Sequence, residues 1–102
     1  MATVTQKSWA RSTSGDTWQD LVPGAATVQA VTLANTSFGA ARVSMRLMKG
    51  STPYSIIPDD ALPQGGSYRF RNPSIVIETG DKLQVKSAGG VDWIASGVQV
   101  TA

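Results

Sequence analysis

Arg42-Val43-Ser44-Met45-Arg46-Leu47 alternates without a slip: Val43, Met45 and Leu47 share one parity, and Arg42, Ser44 and Arg46 share the other. A strand turns successive side chains to opposite faces, whereas a helix repeats every 3.6 residues, so this stretch predicts a half-buried β-strand. Turn residues bracket it, with Asn35-Thr36-Ser37-Phe38-Gly39 before and Lys49-Gly50-Ser51 after. Asn accepts left-handed geometry, and Asn, Ser and Thr side chains bond nearby backbone.

The same cadence continues downstream. Tyr54 to Ile57 predicts a short strand, and Pro58 to Gly66 a loop, because Pro58 and Pro63 bar pairing inside a sheet. Ser67 to Arg71 alternates until Asn72-Pro73 breaks it, and Ile75-Val76-Ile77 is a β-branched run suited to burial on both faces. Thr79-Gly80-Asp81 turns the chain; Leu83 and Val85 alternate with polar residues up to a turn at Ala88-Gly89-Gly90. Val91, Trp93 and Ala95 alternate again before Gly97 and a last strand from Val98 to Val100.

Upstream, Thr17 to Val22 reads as a strand entering the Pro23-Gly24 turn. From Ala26 to Ala34 the parity slips, with Val28 on one face and Val31 and Leu33 on the other, so either both faces are covered or a bulge resets the register. Turn signals about every 8–12 residues predict an all-β fold, a two-sheet antiparallel β-sandwich of about eight strands. Jelly-roll and immunoglobulin-like strand orders both fit. The polar residues 1–16 form an N-terminal arm or edge strand, and residues 17–102 one β-sandwich domain.

Composition narrows the chemistry. The chain has 102 residues, no His, no Cys and a formal charge of +2. Its length suits one domain with a core that needs no covalent staple. Without His or Cys there is no triad and no thiol mechanism, which leaves carboxylate pairs for acid–base work. A charge this small is no nucleic-acid footprint. The opening residues lack a charged head followed by an apolar segment, and nowhere do ~18 apolar residues run together. These features predict a non-enzymatic protein that uses no cofactor and no metal, is not exported by a signal peptide, and binds neither nucleic acid nor membrane.

The remaining candidates are surface groups. Asp59 and Asp60 are adjacent, so on a strand they diverge and only in a loop could they share an ion; a solvated turn is the ordinary role for such a pair. Glu78 and Asp81 flank a turn, but two carboxylates fall short of the six or more oxygens that Ca²⁺ wants, and Asp81 suits an Asx turn. Arg42 with Arg46, and Arg69 with Arg71, project in pairs toward a phosphate, a sialic acid or an acidic protein surface, or serve solubility. Trp93 shares parity with core residues. Trp9, Arg11 and Trp18 lie in or beside the polar opening segment, where the two indoles could stack on a sugar, anchor in a neighbouring subunit or cap the sheet. Trp9, Arg11, Trp18, Arg42, Arg46, Asp59, Asp60, Arg69 and Arg71 are therefore the candidate protein-interface residues.

Three stretches add a resemblance. Leu21-Val22-Pro23-Gly24 leading to Ala34-Asn35-Thr36, followed by Thr79-Gly80-Asp81-Lys82-Leu83-Gln84-Val85 and Val91 to Gly97, resembles small virion-associated proteins of tailed bacteriophages. The resemblance implies a β-sandwich carried on the virion, with Pro23, Gly24, Asn35, Gly80, Asp81 and Gly97 as turn formers. The function it implies is a capsid decoration (cement) protein that binds the major capsid protein or other virion proteins as a homo-oligomer such as a trimer. The alternative is a tail- or fibre-associated adhesin-like module that binds a host surface glycan.

Overall fold

The computed structural model describes residues 3–70 and 74–101. Eight strands account for most of them: β1 (Thr3–Gly15), β2 (Gln19–Val22), β3 (Ala26–Asn35), β4 (Ala41–Lys49), β5 (Thr52–Leu62), β6 (Ser67–Phe70), β7 (Ile75–Ile77) and β8 (Lys82–Thr101). Every pairing is antiparallel. Arg71 and the Asn72-Pro73 break lie outside the described residues.

The fold hangs on β8. Along one edge it pairs first with β2 and then with β1; along the other it pairs with β4 through residues 82–88 and then with β3 through residues 91–98. β5 extends the β4 wing, and β6 and β7 extend the β3 wing. The eight strands therefore form one hydrogen-bonded sheet curled into a half-barrel, not the two separate sheets expected of a sandwich. The expected turn at Ala88-Gly89-Gly90 is a bend inside a continuous strand, at which β8 exchanges β4 for β3. Gly89 sits there at φ +102°, and a Cβ on it would meet Ala41 Cβ at 3.2 Å. Only glycine takes that backbone without strain.

Parity survives the bend. Leu83, Val85, Ser87, Val91, Trp93, Ala95 and Gly97 are all buried on one face, and they meet Val28, Val31 and Leu33 from β3 and Val43 and Met45 from β4 in a single core. The slip in β3 is a bulge, since the register with β8 shifts between Val28 and Ala30. Gly97 lies opposite that bulge within β8 and forms no turn, contrary to the role the resemblance implied. A Cβ on it would run into the backbone of Thr27 and lie 2.9 Å from Val28 Cα.

Two further expectations are corrected. Pro58, Asp59 and Asp60 belong to β5, so the loop shrinks to residues 63–66. β5 tolerates Pro53 and Pro58 because it is an edge strand, and its register with β4 shifts on both sides of Met45. Val76 is 59% exposed, because β7 is also an edge and covers only one face.

Burying Trp93 completely also buries a polar N–H, and a chain of donors satisfies it. Trp93 Nε1 donates to Thr13 Oγ1 at 2.8 Å, Thr13 and Ser87 hydroxyls bond each other, and Ser87 Oγ donates to the Gly89 carbonyl at 2.8 Å. A hydroxyl has one proton to give, so the direction is fixed from the indole to the bend. Among the described residues no buried side-chain polar atom is left without a partner. Thr13→Val keeps the shape but strands the indole N–H, at a cost of about 1–3 kcal/mol. Urea unfolding should show that loss, while Ser14→Ala, at an exposed position one residue away, should stay within about 0.5 kcal/mol of wild type.

Candidate functional site

The outer face of β2, β4 and the first half of β8 gathers three of the candidate residues. β4 presents Arg42 and Arg46 outward, opposite the buried Val43 and Met45. Arg46 donates through Nε to Gln84 Oε1 at 3.0 Å, and its guanidinium carbon lies 4.0 Å from the centroid of the Trp18 ring. Lys86 Nζ is 4.9 Å from the same centroid. A cation near an aromatic face is attracted by the ring quadrupole, so the two cations hold Trp18 to its own sheet. Gln84 Nε2 in turn donates to Asp20 Oδ1 at 2.9 Å, and Asp20 faces Lys82 at 3.7 Å.

Arg42 belongs to a separate pair at the margin of that face. Its Nε and Nη2 donate to Asp59, the Nη2 contact being 2.9 Å. Arg42 holds the Asp59 carboxyl below the usual carboxylate range, chiefly by that hydrogen bond. Asp60, the next residue of β5, turns the other way and lines a groove on the inner side. The two aspartates thus diverge as neighbours on a strand must. Acidic and basic groups alternate across this surface, with Asp16 also 3.9 Å from Lys86.

The other candidates lie elsewhere. Trp9 and Arg11 are on β1: Trp9 is half-buried against the core and has Lys7 5.8 Å from its ring centroid, while Arg11 Nη1 donates to Gln19 Oε1 at 3.0 Å. Arg69 is exposed on β6, on the opposite wing from Arg42 and Arg46. The described arginines therefore make no single patch. Among the described residues no group of three metal-ligating side chains converges. At the turn before β8, Lys49 Nζ lies 2.9 Å from both Glu78 and Asp81, so an ammonium already occupies the place between these carboxylates.

Two surface features complete the picture. β1 pairs with β8 in unbroken register from Thr3 to Thr13, and its other edge carries no strand among the described residues. The second is the groove of about 160 Å³ between the β5 and β6 edges, lined by Leu33, Val43, Ile56, Ile57, Leu62 and Tyr68 among others.

No family model matches the chain, and no curated protein matches it in sequence. Its fold does match solved structures. A pentameric capsid protein isolated from metagenomic phage sequences aligns over 88% of this chain and 60% of its own, at TM-score 0.57 and 13% identity. A protein of the T13 IBDV viral particle aligns over 92% of this chain and 31% of its own, at TM-score 0.53 and 13% identity. A Bacillus endospore appendage protein, of a family of disulfide-linked pili, covers 95% and 89% at TM-score 0.53 and 13% identity. The chain spans three-fifths of the length of the phage capsid protein, and the likeness at these identities is one of fold.

The Lys49 cluster generates a pH prediction. Its hydrogen bond depresses the Asp81 carboxyl below its ordinary 3.8, and hydrogen bonds to Asp81 and Glu78 raise Lys49 to about 12. A depressed acid contributes stability above its unfolded value and loses it as pH falls through the folded one; a raised base contributes fully below its ordinary 10.5 and loses it as pH rises toward 12. Thermal unfolding of the wild type should show a plateau between these limits. Asp81→Asn should lower the melting temperature at neutral pH and shrink the further drop seen on acidification to about pH 2.

Proposed function

We propose that this chain is a non-enzymatic structural subunit of a bacteriophage virion, a capsid decoration protein that binds the major capsid protein as a homo-oligomer. The observation that carries this reading is the curled antiparallel sheet, shared over 88% of the chain with a pentameric phage capsid protein. A protein of the T13 IBDV viral particle shares it too. The likeness to the endospore appendage protein pulls less, because this chain has no Cys with which to make a disulfide-linked pilus.

The edges of the sheet favour the same reading. Free strand edges invite pairing with other chains, and proteins blunt them with prolines, bulges and short length. β5 has Pro53, Pro58 and two register shifts, while β2, β6 and β7 are three or four residues long. β1 is 13 residues long, contains no proline and keeps its register from Thr3 to Thr13, so that its only protection is the charge on Lys7 and Arg11 and a register shift after Thr13. A long regular edge left open beside four blunted ones suits strand addition to a neighbouring virion protein. The interleaved Arg42, Asp59, Arg46, Asp20 and Lys86 add a polar rim of both signs, which tunes register more than affinity.

Immunogold electron microscopy of particles purified from the source, with antibody raised against the recombinant chain, tests this function. Regular labelling of heads is expected. Labelling confined to tails would favour a tail- or fibre-associated module that binds a host glycan, and particles without label would overturn the virion reading.

A further inference from the structure

Phe38 is 98% exposed, the largest exposure of any bulky apolar side chain among the described residues. The loop that carries it, residues 36–40 between β3 and β4, is nevertheless firmly held. Asn35 is buried; its Oδ1 accepts from the Ser37 N–H at 2.9 Å and from the Ser37 hydroxyl. Its Nδ2 lies 2.8–3.0 Å from the carbonyls of Gly39, Leu62 and Pro63. Thr36 N donates to the Gly90 carbonyl at 2.9 Å, which ties the loop to the bend of β8. A phenyl ring on a pinned loop has lost most of its backbone entropy before any contact is made, so a contact that buries it costs little further ordering. No described residue of its own chain covers it.

The same end of the molecule has an apolar recess. The two wings of the half-barrel do not close between β5 and β6, and the gap is a groove of about 160 Å³ whose walls include Ile56, Leu62 and Tyr68, with Asp60 the one charged residue among them. A buried apolar cavity of about 150 Å³ is large enough to take a benzene ring. Knob and recess are neighbours, because Asn35 bonds the Leu62 and Pro63 carbonyls at the end of β5 while the groove runs along that strand. Phe38 points to solvent and does not fill the groove of its own chain.

We propose that Phe38 of one copy of this chain seats in the β5–β6 groove of another, and that this contact anchors its self-association. Size, mainly aliphatic and aromatic walls and a preordered knob match; the Phe38 loop carries no charge, and the one charged side chain of the groove, Asp60, is an exposed residue. The occupant is a second copy because the chain itself carries both halves of the fit. Two copies facing each other at this end would exchange rings reciprocally, and a rotated contact would pass the ring around a closed cycle. The inference rests on the homo-oligomeric part of the proposed function and specifies its interface.

Sedimentation velocity on wild type and Phe38→Ser, across micromolar concentrations, is the first arm of the test. Wild type should associate, and the variant should do so at least about tenfold more weakly, as expected when an anchoring aromatic is removed. Its circular dichroism should not change, and its melting temperature should equal that of the wild type once both are diluted to where the wild type is monomeric, since an exposed ring supports nothing in its own chain. The Cys-free sequence allows a second arm. Gly39→Cys, which keeps the Phe38 ring and whose side chain meets nothing within 4 Å in its own chain, mixed with Ala61→Cys on the groove wall should form disulfide-linked pairs on mild oxidation, whereas Gly39→Cys mixed with Gln19→Cys on the β2 edge should not. A monomeric wild type, undiminished association of Phe38→Ser, or equal cross-linking in both mixtures would overturn the proposal. Head labelling of particles by a chain that fails these tests would leave the virion reading standing without this interface.

Discussion

The relay from the Trp93 indole through the Thr13 and Ser87 hydroxyls to the Gly89 carbonyl holds the molecule at the point where it most needs holding. β8 must bend there to pass from β4 to β3, and a bend leaves backbone carbonyls without ladder partners. Ser87 satisfies one of them from the side of β4, and Thr13 brings in β1. Trp93, the largest fully buried side chain, fills the core just beyond the bend. A buried polar chain of this kind costs heavily if any member is lost, because the remaining groups are then unpaired in a medium of low polarity. Glycine at 89 and hydroxyls at 13 and 87 are therefore one device: they let a single strand serve as the common edge of two wings.

That device shapes the surface. Since β3 and β4 share one edge of β8, their wings curl toward each other and enclose the core, and the last strands of the wings, β5 and β6, come close without pairing. The apolar groove is the remainder of that incomplete closure. On the other edge, β1 covers the second half of β8, and among the described residues no strand pairs with its outer side. The connection from β3 to β4 spans the bend, so Asn35 sits where it can bind both that loop and the end of β5. Phe38, the groove and the open edge all follow from one strand with too many partners.

Much of this was legible in the sequence, and the rest was not for identifiable reasons. The alternation around Val43 and Met45 placed β4 and its faces correctly, and the slipped parity between Val28 and Val31 marked a bulge as one of two readings. Ala88-Gly89-Gly90 misled because glycine marks tight bends and chain reversals alike; only the strands paired on either side tell them apart. Pro58 misled because the bar against proline holds for central strands, and a sequence does not show which strand lies at an edge. Arg42 and Arg46 were placed on one face, but their partners Asp59 and Gln84 come from other strands and Trp18 from the connection before β2, and none has a spacing signature. The exposure of Phe38 was hidden for the same reason, since an apolar residue beside turn formers is as often tucked inward as presented.

Native-state amide exchange along β8 tests most directly whether it is one cooperative strand. The amides in the ladders from Leu83 to Ser87 and from Val91 to Gly97 should open only with global unfolding, and share one free energy that tracks the denaturant-derived stability. If the Leu83 to Ser87 segment opens at a distinctly lower free energy than the Val91 to Gly97 segment, the two wings are separate units joined by a turn. The single-strand account would then be wrong.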